Sequence, residues 1–272
     1  MSVQPESPLM DSPEITADPA APPPVIPTQR PPRIWKFWGT ALWGVFVFAA
    51  MFVGQLAVFA WFLLQQGGPL DGAAMVRVAS NGFVISLSVI LELPAVLAAL
   101  WLAIRLSRTP FADYLALRGT SRTNVLIGAV SFLALILGWE GLSLIIGHDS
   151  SPGFMVDVLK SARAGGAFWL LVIAFAIAAP ISEELLVRGF LYRGWSESAL
   201  GTVGAIILSS LVWTAVHLQY DRDWFPFFEV LSIGLLLGYL RYRSNSVWLT
   251  IILHGLNNLA AVVQTYLLAG PS

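Results

Sequence analysis

The chain has 272 residues, of which 57% are hydrophobic and only 11% are charged. Soluble domains contain about 25% charged residues, so this composition excludes an ordinary soluble protein and indicates a polytopic membrane protein. The formal net charge of −1 gives no basis for nucleic-acid binding, and the absence of cysteine excludes disulfides, thiolate metal sites and a cysteine nucleophile.

Residues 1–36 differ in composition from the rest of the chain. They contain ten of the seventeen prolines, mixed with Ser, Ala, Asp and Glu. Such a segment buries too little apolar surface to order itself, so we predict a disordered, proline-rich cytoplasmic tail. Its acidic start and its lack of an early apolar core argue against a signal peptide.

Seven apolar segments follow, and they predict an all-α transmembrane bundle of seven to eight membrane helices. The predicted spans are Phe37–Leu64, Phe83–Ile104, Val125–Ile146, Ala167–Val187, Val203–Leu218, Phe227–Leu240 and Val247–Leu268. The fourth is expected to continue as a helix to about Trp195, and Phe227–Leu240 is short for a span. A segment around Ser151–Arg163 is a candidate interfacial helix. We divide the apolar part into N-terminal helices, 37–166, and a C-terminal core, 167–268.

The basic residues predict the orientation of the bundle. With the N-terminus in the cytoplasm, eleven of the fifteen basic residues fall in inner segments and four in outer segments. This bias follows the positive-inside rule, so we expect seven spans with the C-terminus outside, in a bacterial plasma membrane. No internal repeat suggests an inverted-repeat transporter.

Two adjacent carboxylates and an arginine, Glu183, Glu184 and Arg188, follow the fourth apolar run. A charge at the bilayer centre costs at least about 2.5–3.5 kcal/mol, so an unpaired structural role is disfavoured. Glu184 and Arg188 are four residues apart and share a helix face, which predicts an ion pair. Glu183 is rotated by roughly 100° and is left to face a cavity as a general base or acid. The alternative is an ionic cluster that only stabilises the helix.

Two of the three histidines also fall in predicted spans. His217 follows Trp213 by one turn, and His254 precedes Asn258 by four residues on the last span. Each alone is compatible with ordinary packing or an interhelical hydrogen bond. Depths estimated at about 1.5 Å per residue allow Glu183, His217 and His254 to meet in one water-accessible cavity.

Three other features of the spans have weaker interpretations. Glu92 and Glu140 either line this cavity or pair with an arginine. Gly234 and Gly238, four residues apart, predict close helix packing.

Three motifs of the C-terminal core resemble those of the CPBP family, which comprises CAAX prenyl endopeptidases and bacteriocin-processing or self-immunity (Abi) proteins. The order and spacing of the motifs agree over about a third of the chain, Ala167–Val262. Glu-Glu-x-x-x-Arg matches Glu183, Glu184 and Arg188, followed by Gly189 and Leu191; Phe-x-x-x-His matches Trp213 and His217, with tryptophan replacing phenylalanine; His-x-x-x-Asn/Asp matches His254 and Asn258.

The resemblance implies an intramembrane endopeptidase whose substrate is a peptide or protein, lipidated or membrane-bound chains included, and whose other partner is the lipid bilayer. It implies that Glu183 activates a water with help from His217. It further implies that His254 and Asn258 stabilise the oxyanion of the tetrahedral intermediate. Glu184, Arg188 and Trp213 would then support these groups.

Metal dependence and a second class of function stay open at this stage. Glu183, His217 and His254 are the candidate zinc ligands, and family members are often labelled metalloproteases. However, His-Glu-x-x-His is absent, and the eukaryotic branch of the family implies a metal-free mechanism, so we favour no cofactor. The alternative function is a non-catalytic membrane immunity or scaffold protein, or a proton-linked carrier that uses the same Glu and His.

Overall fold

The structure, a computed structural model, describes residues 33–148, 153–217 and 224–270. Within these ranges all regular secondary structure is helical, which confirms the predicted all-α class. Of the predicted tail, residues 1–32 lie outside the described residues. Residues 33–36 precede the first helix, and the Arg33 N–H donates to the Ser107 carbonyl at 3.0 Å.

The described residues form ten helices. They are α1 (Phe37–Gln65), α2 (Gly72–Ala79), α3 (Gly82–Ser107), α4 (Phe111–Leu115), α5 (Arg122–Ile146), α6 (Gly153–Ala164), α7 (Phe168–Ser196), α8 (Gly201–Ala215), α9 (Trp224–Ser244) and α10 (Val247–Leu268). Six of them, α1, α3, α5, α7, α9 and α10, are long and apolar enough to cross a membrane. The protein is therefore a multi-pass membrane protein.

One predicted span is shorter than the hydrocarbon core of a membrane, and another is longer than predicted. Helix α8 has 15 residues, so it extends about 22 Å, less than the ~30 Å hydrocarbon core. It ends at Ala215, and His217 lies just beyond it, with its N–H donated to the Thr214 carbonyl at 3.0 Å. Helix α9, in contrast, has 21 residues and exceeds the short predicted span.

The short helices fix the ends of the long ones. Helix α6 corresponds to the predicted interfacial segment and buries Val158, Leu159 and Ala162. Ser151 lies outside the described residues. Helix α4 was not predicted, and Ala116, which follows it, accepts the Val247 N–H at 3.1 Å. This contact holds the start of α10 at the end of the bundle where α3 finishes.

Helix α7 is the central helix of the bundle. In its most apolar window 56% of the residues are buried, against at most 44% in the other five long helices. Its last turn meets the first turn of α1, where Trp195 Nε1 donates to the Phe37 carbonyl at 3.3 Å. Glu184 and Arg188 of α7 therefore lie inside the protein and away from lipid.

The sequence predicted a regular helix here, but α7 contains two π-helical segments. They are Ala174–Ala178 and Leu185–Leu191, on either side of the α-helical turn Ala179–Glu184. In the first, the Ala179 N–H bonds to the Ala174 carbonyl, five residues back. If this pattern continued, the N–H of residue 180 would donate to the Phe175 carbonyl. Residue 180 is a proline, which has no N–H. Single π turns occur frequently at functional sites.

The predicted close packing at Gly234 and Gly238 is confirmed. A Cβ at Gly238 would lie 2.9 Å from Ile206 Cγ2 of α8, and a Cβ at Gly234 would lie 3.2 Å from Ser210 Cβ. The two glycines let α8 and α9 approach closely. They thereby bring Trp213 near α7.

Candidate active site

The ion pair predicted from the spacing of Glu184 and Arg188 is present and fully buried. Arg188 Nη1 donates to Glu184 Oε1 at 2.9 Å, and both side chains are 0% exposed. Arg188 Nη2 donates to the Gly234 carbonyl at 3.0 Å. In return, Arg241 Nε donates to the Arg188 carbonyl at 3.0 Å. The side chain and the backbone carbonyl of Arg188 thus both connect α7 to α9.

The carboxylate of Glu184 has a second partner that the sequence did not reveal. His254 Nδ1 lies 3.0 Å from Glu184 Oε1, and the imidazole is 3% exposed. Since a carboxylate only accepts, Nδ1 is the protonated ring nitrogen. Neutral His254 therefore has its lone pair on Nε2, and Nε2 donates a hydrogen bond only in the imidazolium form.

Glu183 has a different environment from its neighbour. Trp213 Nε1 donates to Glu183 Oε2 at 2.5 Å. Glu183 Oε1 accepts no hydrogen bond from any residue in the described ranges. The predicted divergence of the two carboxylates is confirmed: Glu184 is engaged by Arg188 and His254, and Glu183 by Trp213.

His217 lies against the same indole. Its ring centroid is 4.7 Å from that of Trp213, and its Nδ1 is 2.8 Å from the Trp213 carbonyl oxygen. Because a carbonyl oxygen only accepts, this Nδ1 also carries the proton, and neutral His217 has its lone pair on Nε2.

Asn258 supplies the hydrogen-bond donor that Pro180 lacks. Asn258 Nδ2 donates to the Phe175 carbonyl at 3.0 Å. Close approach of the helices depends on Gly255, since a Cβ there would lie 2.6 Å from the Ala176 carbonyl oxygen. One of the two Nδ2 hydrogens is used in this contact, and the other is left for a ligand.

A cavity of about 730 Å³ unites the predicted site residues. Glu183, Trp213, His217, His254 and Asn258 all line it. They come from α7, α8, the segment after α8, and α10. The residues that the motifs single out are thus brought together around one space.

Glu92 supplies a second carboxylate to this cavity. It pairs with no arginine of the described ranges: its Oε1 accepts from Ser182 Oγ at 3.1 Å, and its Oε2 accepts from Gln55 Nε2. It is 2% exposed and lies near enough to Glu183 for the two carboxylates to repel each other. The contact with Gln55 was not predicted, although a glutamine inside an apolar span is a signal for it. Glu140 also lines the cavity and accepts from Gln264 at 3.2 Å.

The candidate zinc ligands do not form a metal site in the described part of the chain. No group of three His, Asp or Glu side chains there has an arrangement that could hold a metal ion. Glu183 Oε2 already faces an N–H donor, and His254 Nδ1 faces Glu184. As they are placed in the structure, Glu183, His217 and His254 are not grouped as the ligands of one ion.

The buried ion pair predicts unequal effects of removing the two charges. Glu184→Gln leaves a buried Arg188 without its counter-ion, so we expect the free energy of unfolding to fall by about 3–5 kcal/mol. Glu183→Gln, the matched control, leaves that pair intact and is expected to cost much less. Denaturant titration in detergent micelles measures both. Equal losses for the two variants would contradict this prediction.

The Asn258 contact predicts a thermodynamic coupling with Pro180. Asn258→Ala is expected to cost about 1 kcal/mol of unfolding free energy, a typical net hydrogen bond. Pro180→Ala restores a backbone N–H for the Phe175 carbonyl, so Asn258→Ala should cost clearly less in that background. A double-mutant cycle in detergent measures the difference. The same cost in both backgrounds would show that Asn258 does not replace a missing donor.

Comparison with known proteins agrees with this placement of the motifs. Residues 165–260 match the family described as Type II CAAX prenyl endopeptidase Rce1-like. The chain is 27% identical to the UPF0177 protein YbdI of Lactococcus lactis subsp. lactis (strain IL1403) over 151 residues, which is 56% of this chain and 76% of that protein. It is 29% identical to the UPF0177 protein YbdJ of the same strain over 119 residues, 44% of this chain and 48% of that protein. No solved structure is significantly similar to the chain.

The matched segment contains all three motifs and runs from just before α7 into α10. The resemblance inferred from the motifs is therefore confirmed: residues 165–260, about a third of the chain, match the model of the Rce1-like CAAX prenyl endopeptidases.

Proposed function

We propose that this protein is an intramembrane endopeptidase in which Glu183 activates a water for attack on a peptide bond. The match of residues 165–260 to a protease family supports a peptidase. The observation that carries the proposal is the asymmetry of the two glutamates. Glu184 is sealed in an ion pair, while Glu183 lines the cavity with an oxygen that accepts no hydrogen bond from the described residues.

In the proposed reaction, Glu183 Oε1 takes a proton from a water, and the water oxygen attacks the carbonyl carbon of the scissile bond. His217 Nε2, which has the lone pair in the neutral ring, accepts a hydrogen bond from the same water and orients it. The carbon–nitrogen bond then breaks, and Glu183 returns the proton to the leaving amine. General base catalysis of this kind contributes about 10²–10⁴ to the rate.

Stabilisation of the oxyanion is assigned to His254 and Asn258. The second Nδ2 hydrogen of Asn258 is available, because the first is bound by the Phe175 carbonyl. His254 donates from Nε2 when it is protonated, with Glu184 holding Nδ1 at 3.0 Å. Donors that are fixed in a site sheltered from water stabilise a developing charge without reorganisation. We propose that no metal takes part.

The residues that line the cavity favour one class of substrate. Apolar side chains of α1 line the cavity, namely Phe48, Met51 and Phe52. This lining is suited to a peptide that is held in the membrane by an apolar or lipid-modified segment. The name of the matched family points to prenylated CAAX proteins, and we propose membrane-anchored or lipidated polypeptides as the substrates of this chain.

Loss of the proposed base is expected to abolish cleavage without unfolding the protein. Glu183→Ala or His217→Ala should slow cleavage about 10²-fold or more, so uncleaved precursors should accumulate in membranes. Quantitative membrane proteomics of cells that carry each variant measures the precursors. Glu197→Gln, on the exposed pair with Arg193, is the control. A cellular phenotype that survives both alanine variants in folded protein would favour the immunity, scaffold or carrier function.

Metal removal separates the two mechanisms. Because Glu183, His217 and His254 are not grouped as the ligands of one ion, we expect cleavage by purified protein to persist after extensive chelation. Elemental analysis of the same sample should show zinc far below one equivalent per chain. Stoichiometric zinc whose removal abolishes cleavage would establish a metalloprotease.

A further inference from the structure

We propose that Trp213 is a positioning residue for Glu183, and that its indole N–H determines which carboxylate oxygen acts as the base. This inference rests on the proposed function of Glu183. It concerns the one motif position at which this chain departs from the family pattern. Phenylalanine, the residue of the motif, has a similar ring but no hydrogen-bond donor.

The indole is held rigidly from several sides. Trp213 is 3% exposed, and the Arg188 guanidinium carbon lies 4.6 Å from its ring centroid. A Cβ at Gly234 would lie 3.1 Å from Trp213 Cε3, so the absence of a side chain there lets α9 cover the indole closely. A bulky aromatic group in such a packed site stays in one orientation.

The same indole contacts the other groups of the site. His217 and His254 meet it edge-on, with centroid distances of 4.7 Å and 5.4 Å and interplanar angles of 71° and 83°. Its Nε1 donates to Glu183 Oε2 at 2.5 Å. Trp213 is therefore in contact with both candidate catalytic histidines and with the candidate base.

The hydrogen bond determines the orientation of the carboxylate. The terminal torsion of a glutamate is broad and roughly two-fold, so an unanchored carboxylate can present either oxygen. With Oε2 bound by Nε1, the group is fixed and Oε1 remains for the water. A hydrogen bond to an ionised group in a site of low dielectric is stronger than one between neutral groups. Trp213 thus holds the Glu183 carboxylate in one orientation. A phenylalanine at this position would pack but would not fix the carboxylate.

The test replaces the donor and keeps the ring. Trp213→Phe should lower kcat roughly tenfold, the usual effect of one hydrogen bond to a charged group, while KM stays within about twofold. The probe is an internally quenched peptide that spans a cleavage site found by membrane proteomics, assayed in proteoliposomes.

Trp195→Phe is the matched control for the kinetic test. It removes an equally buried indole donor of α7, whose partner is the Phe37 carbonyl away from the cavity. Its kcat should equal that of the wild type. If kcat of Trp213→Phe also equals that of the wild type, Trp213 only packs and the proposal is overturned.

A spectroscopic measurement tests the hydrogen bond of Trp213 without an activity assay. The ultraviolet resonance Raman spectrum of the wild type minus that of Trp213→Phe isolates the Trp213 bands. The band that reports on the indole N–H should indicate a strong hydrogen bond, and it should shift towards the unbonded position in the Glu183→Ala background. A band that does not respond to Glu183→Ala overturns the positioning role alone. If the wild type cleaves no peptide, the proposed function fails, and the catalytic role of Trp213 fails with it.

Discussion

The burial of Arg188 is the constraint on which the rest of the C-terminal core depends. A guanidinium that is 0% exposed needs a counter-ion and acceptors, because a buried charge without them is too costly to keep. Glu184 supplies the charge and the Gly234 carbonyl supplies an acceptor. Glu184 in turn orients His254 of α10. One buried cation thereby fixes α7, α9 and α10 relative to one another and places the two sides of the cavity.

The adjacent glutamates show how helix geometry separates structure from chemistry. Residues that are neighbours in sequence point about 100° apart on a helix, so they meet different surroundings. Glu184 faces the packed interior between helices, and Glu183 faces the cavity and Trp213. The two adjacent carboxylates therefore make contacts that neither could exchange with the other.

Much of this arrangement could be predicted from the sequence, and there are physical reasons why the rest could not. Long apolar runs and an i,i+4 pair are local features, so the spans and the contact between Glu184 and Arg188 were predicted. The contacts of Glu184 with His254 and of Glu92 with Gln55 join distant helices, whose rotation a single sequence does not specify. The π-helical segments were not predicted because their hydrophobic pattern is that of an ordinary helix. Pro180 was the one local signal of the first of them.

Pro180 has a consequence for the order in which the protein assembles. Its missing N–H leaves the Phe175 carbonyl to a side chain of α10, the last helix among the described residues. During synthesis α7 enters the membrane well before α10 exists, and at that stage its middle turn carries an unmet acceptor in an apolar medium. Arrival of α10 completes the backbone of α7 and delivers His254 in the same event. The cavity with its full set of side chains therefore forms only after α10 has been synthesised, and any chain truncated before α10 lacks it.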